Sequence, residues 1–110
     1  MHQRNNKIIN RIKEVIFKTD PTAQAFLYGS RARGTAKKDS DWDILILINQ
    51  ENNYLSVEQK FRHNLYDIEI DFGEVISTYV VSKHDWETKY VITPFYTNIK
   101  KEGIKLWMKI

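Results

Sequence analysis

Cysteine is absent from this chain of 110 residues, which excludes disulfides and thiolate metal sites and agrees with a reducing compartment. Long apolar runs are missing too: none reaches the roughly 18 residues that a membrane helix needs. A secretory leader core is also lacking, since Ile8, Ile9, Ile12, Val15 and Ile16 are interleaved with charges, so a cytoplasmic protein is expected. The excess of positive charge is only +3, too small to argue for a nucleic acid partner. With 110 residues the chain is expected to be one domain, 1–110, with a real core but no room for a second substrate-gripping domain of usual size.

What is present is an alternation of helical and strand patterns. From about Asn5 to Lys18 the apolar positions 8, 9, 12, 15 and 16 form one face of an amphipathic helix, which Asp20-Pro21 stops. Two short apolar runs follow, Ala25 to Tyr28 and Ile44 to Ile48, and both read as strands. A second helical pattern takes in Leu55, Val57, Phe61, Leu65, Ile68 and Phe72. Residues 66 to 72 also alternate apolar and acidic, as a half-buried strand would; the helix is preferred because Val75 to Val81 already supplies a third strand. Ser82-Lys83-His84-Asp85 reads as a helix start, with Ser82 or Asp85 as cap. Pro94 to Lys101 reads as a short helix closed by Gly103, and Ile104 to Trp107 as a final short strand or extended tail.

Function is concentrated between the first two strands. Gly29-Ser30 closes one strand, ten residues follow, and Asp41-Trp42-Asp43 opens the next. Alternate side chains of a strand share a face, so Asp41 and Asp43 point together and Trp42 points away. Two adjacent carboxylates repel unless a cation lies between them, which makes the pair a shelf for Mg²⁺. Gly29 allows close approach of backbone to a phosphate, and Ser30 adds a hydroxyl and an amide as donors. Arg31, Arg33, Lys37 and Lys38 place four cations in the loop, enough to counter the roughly four charges of a triphosphate.

Gly-Ser, ten residues and Asp-x-Asp resemble the signature of the nucleotidyltransferase superfamily related to DNA polymerase beta, and the short chain resembles its stand-alone minimal members. The resemblance implies an α/β (α+β) fold: a small mixed sheet of three or more strands with helices packed on one face. It also implies nucleotide binding by Gly29, Ser30, Arg31 and Arg33, and Mg²⁺ bound by Asp41 and Asp43. The implied reaction moves a nucleoside monophosphate, AMP from ATP, onto a hydroxyl of a protein or other macromolecule and releases pyrophosphate. Minimal members are commonly paired with a helical protein of the HEPN type, some as antitoxins that adenylylate it. Self-association is left open.

Active members of the superfamily carry a third carboxylate on the strand after the helix. In this chain Ser77 falls at that place. If residues 66 to 72 were extended, one of their acids would supply the group, with Asp71 ranked first as catalytic residue, followed by Glu69, Asp67 and Glu74. If they are helical, these charges spread over a solvated surface. Two readings therefore stay open: a Mg²⁺-dependent nucleotidyltransferase, and a degenerate module that binds nucleotide or partner without turnover. His2, His63 and His84 lie in separate segments without ligand-like spacing. The aromatic residues read chiefly as packing groups.

Overall fold

The periodic isoleucines of the first segment produce a helix. In the computed structural model, which describes residues 2–52 and 54–107 and leaves the side chain of His2 outside that set, α1 spans His2–Thr19. Ile8, Ile12 and Ile16, one helical turn apart, are fully buried in a single stripe. Asp20 then takes the chain out of the helix: its carboxylate accepts from the amide and the hydroxyl of Thr22, and Pro21 cannot continue the ladder.

Strands β1 (Gln24–Tyr28) and β2 (Trp42–Ile48) pair antiparallel, with Tyr28 opposite Asp43. Between them lies a single turn of helix, α2 (Ser30–Arg33). A long helix, α3 (Tyr54–Phe72), carries the chain to β3 (Ile76–Ser82), which runs parallel to β2 and sets Ser77 beside Asp43. Two short helices, α4 (Lys83–Thr88) and α5 (Pro94–Glu102), precede β4 (Ile104–Leu106), which pairs antiparallel with β1. The sheet order is β3-β2-β1-β4, a mixed sheet as the sequence implied.

Residues 66 to 72 are helical, and the reason is visible in their burial. Phe61, Leu65 and Ile68 face the core at three- and four-residue steps, whereas Ile70, which a strand would have buried beside Ile68, is 62% exposed. Gly73, at φ 64°, ends the helix, and the amides of Gly73 and Glu74 both return to the carbonyl of Glu69. Ser82 caps α4 by accepting from the Asp85 amide, and Thr93 caps α5, whose first residue is Pro94.

The alternation of β2 builds two different cores. Trp42, Ile44, Ile46 and Ile48 meet the aliphatic stripes of α1 and α3. Leu45 and Leu47 point oppositely and join Val81, Trp86 and Ile99, with Phe26, Tyr28, Tyr90, Phe95 and Tyr96 packed around them. The two long helices thus occupy one face, as expected, and α4 and α5 add a layer on the other. Asp43 belongs to this second, aromatic face.

Candidate active site

The site forms where β1 ends and β2 begins. Gly29 sits at φ 73° as the residue before α2, a conformation that side-chain-bearing residues rarely adopt. It also lies directly against the Asp43 carboxylate: a Cβ at this position would be 3.3 Å from Asp43 Cγ and in collision with Oδ2. Glycine is therefore required twice, by the backbone and by the carboxylate. Ser30 opens α2, and first-turn amides have no acceptor within a helix, so its N–H and hydroxyl are donors next to the acids.

Asp43 is half-buried and its carboxyl is pushed up from the ordinary range, first by burial and then by the charge of Asp41, with Arg33 pulling it back. Arg33 is exposed and lies 3.6 Å from Glu102 on α5. Asp41 is exposed, and the Ser77 hydroxyl donates to its Oδ2 over a long 3.4 Å. Beyond Asp43 the wall is aromatic: Tyr28 meets Phe95 edge-on at 5.2 Å, and the Tyr79 and Tyr90 hydroxyls are 3.0 Å apart. That hydroxyl pair, together with burial, pushes Tyr90 up to about 12. Tyr28 is raised as well, by burial and by the negative charge of Asp43.

The structure thus brings Gly29, Ser30, Arg33, Asp41 and Asp43 together, but not the other two expected residues. Asp71 is corrected: it lies on α3, at the opposite face of the sheet, where Arg11 Nη1 donates to its carboxylate at 2.6 Å. The lower-ranked acids are elsewhere too. Glu69 accepts from the Ile76 amide at 3.0 Å, Asp67 lines a groove beside Lys18 and Thr19, and Glu74 is buried against Arg31 and Trp42. Among the described residues no third His, Cys, Asp or Glu completes a metal cluster, and Ser77 stands next to Asp43 in the sheet register. The helix is the physical cause, because it turns successive acids around a cylinder instead of lining them up beside β2.

Arg31 is the second correction. Its guanidinium lies 4.5 Å from the Trp42 ring centroid, on the side away from Asp43, and is paired with Glu74 at 3.1 Å. Sequence reasoning missed this pair because nothing in a single chain links positions 31 and 74; the only available signal was the outward direction of Trp42.

A glycine turn packed against one of two neighbouring carboxylates thus lies at one end of the sheet, where β1 stops and β2 starts. The family model described as polymerase beta, nucleotidyltransferase, matches residues 10–107, and the chain belongs to that family. No curated protein compared with it matches in sequence. Solved structures share its fold. A toxin–antitoxin with AMP-PNP superposes with a TM-score of 0.58 at 19% identity, covering 92% of this chain and 73% of that one. A mutant of the toxin–antitoxin MntA-HpeT gives 0.59 at 14% identity over 92% and 73%. A Sulfolobus solfataricus protein described as a candidate nucleotidyltransferase gives 0.53 at 18% identity over 94% and 82%.

Proposed function

We propose that the protein transfers AMP from ATP to a hydroxyl of a partner protein in the cytoplasm, with Mg²⁺ held by Asp41 and Asp43. The observation that carries this reading is the contact between the Gly29 backbone and the Asp43 carboxylate, which makes the phosphate turn and the acid pair one site. The donor set fits the ion. Burial and the neighbouring Asp41 charge disfavour an ionised Asp43, and a divalent cation between hard oxygens relieves both. When bound, Mg²⁺ supplies charge neutralisation for the triphosphate and a lowered pKa for the attacking hydroxyl.

The residues of the chain bind and orient. Ser30 donates to phosphate oxygens, Gly29 lets the backbone approach them, and Arg33 contributes a cation at the open rim. The acceptor oxygen attacks the α-phosphorus in line; its new bond to phosphorus forms as the bond to pyrophosphate breaks, and the hydroxyl proton passes to solvent water. Ser77 stands on the acceptor side as a hydrogen-bonding group, without the basicity of a carboxylate. As partner we propose a helical toxin of the HEPN type, a reading supported by the toxin–antitoxin structures that share the fold.

A second reading has its own observation. Ser77 in place of a third acid favours a module that binds Mg²⁺ and ATP, or the partner, without turnover. Incubation with α-labelled ATP, Mg²⁺ and a HEPN-type protein separates them. Transfer of label is expected; ATP binding without transfer selects the second reading, and absence of both overturns the first and the nucleotide part of the second.

A further inference from the structure

Sequence makes Arg31 the first cation of a phosphate loop, but the folded chain commits its guanidinium elsewhere. The Arg31 side chain is 9% exposed and that of Glu74 is 8% exposed. Arg31 Nη2 donates to Glu74 Oε1 at 3.1 Å and to the Ser40 carbonyl at 3.0 Å, while its guanidinium lies 4.5 Å from the centroid of the Trp42 ring. Trp42 Nε1 donates to the same Glu74 oxygen at 2.8 Å, and the Trp42 amide donates to the Val75 carbonyl at 2.8 Å. The two residues that Arg31 holds, Ser40 and Trp42, are the immediate neighbours of Asp41. Asp41 itself is exposed, and among the described residues its carboxylate meets only the long contact from Ser77 given above, so its direction is set through its neighbours' backbone. Arg4 joins from α1, donating to the Phe72 carbonyl at 2.6 Å and lying 3.6 Å from Glu74 Oε2.

We infer that Arg31 and Glu74 are a positioning pair that aims Asp41 at the cation, and that Arg31 makes no phosphate contact. The inference rests on the Mg²⁺-ATP reading above and deepens it. A guanidinium is suited to this task because one planar group can stack on the indole while its N–H groups reach a carboxylate and a carbonyl, which a lysine ammonium cannot do. The buried acid explains the rest, since Glu74 neutralises the guanidinium and holds Trp42 by accepting from its indole N–H.

The test uses Arg31→Met, Glu74→Leu and the double variant, with Arg33→Met for comparison. Glu74→Leu strands the buried Arg31 guanidinium and Arg31→Met leaves Glu74 with the more distant Arg4, whereas the double variant removes both members at similar volume and protects the test against loss of folding. ATP binding is titrated in EDTA and again over a range of Mg²⁺. Each single variant is expected to raise the half-saturating Mg²⁺ about tenfold or more while metal-free ATP affinity stays within about twofold, the behaviour of a residue that orients a ligand. The double variant is expected to be no worse than the worse single one, because the two act through one contact. Arg31→Lys is not expected to restore Mg²⁺ affinity. Weaker metal-free ATP binding in Arg31→Met alone, or a lower Tm with unchanged Mg²⁺ dependence, overturns the inference. Amide hydrogen exchange provides a readout that needs no nucleotide. Residues 38 to 41 are expected to exchange faster in Arg31→Met than in wild type while 44 to 48 do not, and equal exchange at 38 to 41 overturns the positioning role even where wild type binds no ATP.

Discussion

The two faces of β2 divide the molecule's work. On one, Ile44, Ile46 and Ile48 are sealed beneath α1 and α3, mostly by aliphatic side chains with Phe61 and Trp42 among them. On the other, Leu45 and Leu47 lie under tyrosines, two phenylalanines and a tryptophan, and the same row ends in the half-exposed Asp43. A shift of one residue exchanges the two environments, since side chains alternate with period two. The loop before β2 obeys the same division. Arg31 turns toward Trp42 and the closed face, and Arg33 toward Asp43 and the open one. Stability is concentrated under α1 and α3, and the proposed chemistry at the end of the aromatic face.

The largest expected effect on stability comes from breaking the closed face. Phe61 on α3 is fully buried among the isoleucines of α1 and β2, and Phe61→Ala should lose about 3–5 kcal/mol, part transfer and part cavity. Urea unfolding measures it. ATP binding per folded molecule should be unchanged, and an equal loss in both would show that the faces are not independent.

Next in size is Gly29→Ala, which strikes the junction of the two regions. A left-handed backbone at φ 73° costs a side-chain-bearing residue about 1–2 kcal/mol, and the added methyl must also displace the Asp43 carboxylate. Both stability and Mg²⁺-dependent ATP binding should fall. Normal binding with only a lowered Tm would separate the turn from the metal pair.

Much of this arrangement is legible in the chain. The stripe of Ile8, Ile12 and Ile16, the caps at Ser82 and Thr93's neighbour Pro94, and the Gly-Ser to Asp-x-Asp spacing each depend on local geometry that a sequence states directly. Residues 66 to 72 were legible less directly: two periods competed, the strand at Val75 to Val81 favoured the helix, and the burial of Leu65 and Ile68 with Ile70 exposed agrees with it. What a sequence does not state is direction across long separations. Asp71 and Arg11, or Arg31 and Glu74, meet because helices pack at particular rotations, and charge alone cannot tell an arginine facing phosphate from one stacked on tryptophan. Both short helices were legible from their caps, but the face of the sheet that they cover was not: α4 has six residues, too few for a helical period to show its apolar side.

A smaller effect should come from the seam between the two faces, where Tyr54 of α3, packed against the closed core, donates to Asp85 of α4 at 2.6 Å. That hydrogen bond is the main reason the Asp85 carboxyl lies below its ordinary value, with Lys89 helping. A depressed folded-state value gives stability that is present above the unfolded carboxylate value of about 3.9 and is lost as pH falls through the folded one. Tyr54→Phe should therefore lower Tm by a few degrees at pH 7 and by progressively less as the pH falls below about 4. A difference independent of pH would show that packing, not the hydrogen bond, is at stake.

Asp43 has the opposite sign, and Asp43→Asn should be the smallest change in stability with the widest consequence for binding. Its folded-state carboxyl is raised by burial and by Asp41, so between the unfolded value of about 3.9 and the raised folded value the native state holds more protons than the unfolded one. Stability accordingly falls as pH rises through that window, and at neutral pH the ionised side chain is a net cost. The amide carries no such cost. The variant should match wild type near pH 3 and exceed it by on the order of 1 °C in Tm at pH 7, a small gain because Asp43 is only half-buried and solvent screens its charge. Mg²⁺ with ATP should reverse the ranking by stabilising wild type through binding while leaving Asp43→Asn where it was. Thermal melts with and without Mg²⁺-ATP at both pH values decide the matter: a variant less stable than wild type in the absence of ligand would make Asp43 part of the structural face, and one equally stabilised by Mg²⁺-ATP would remove it from the metal site.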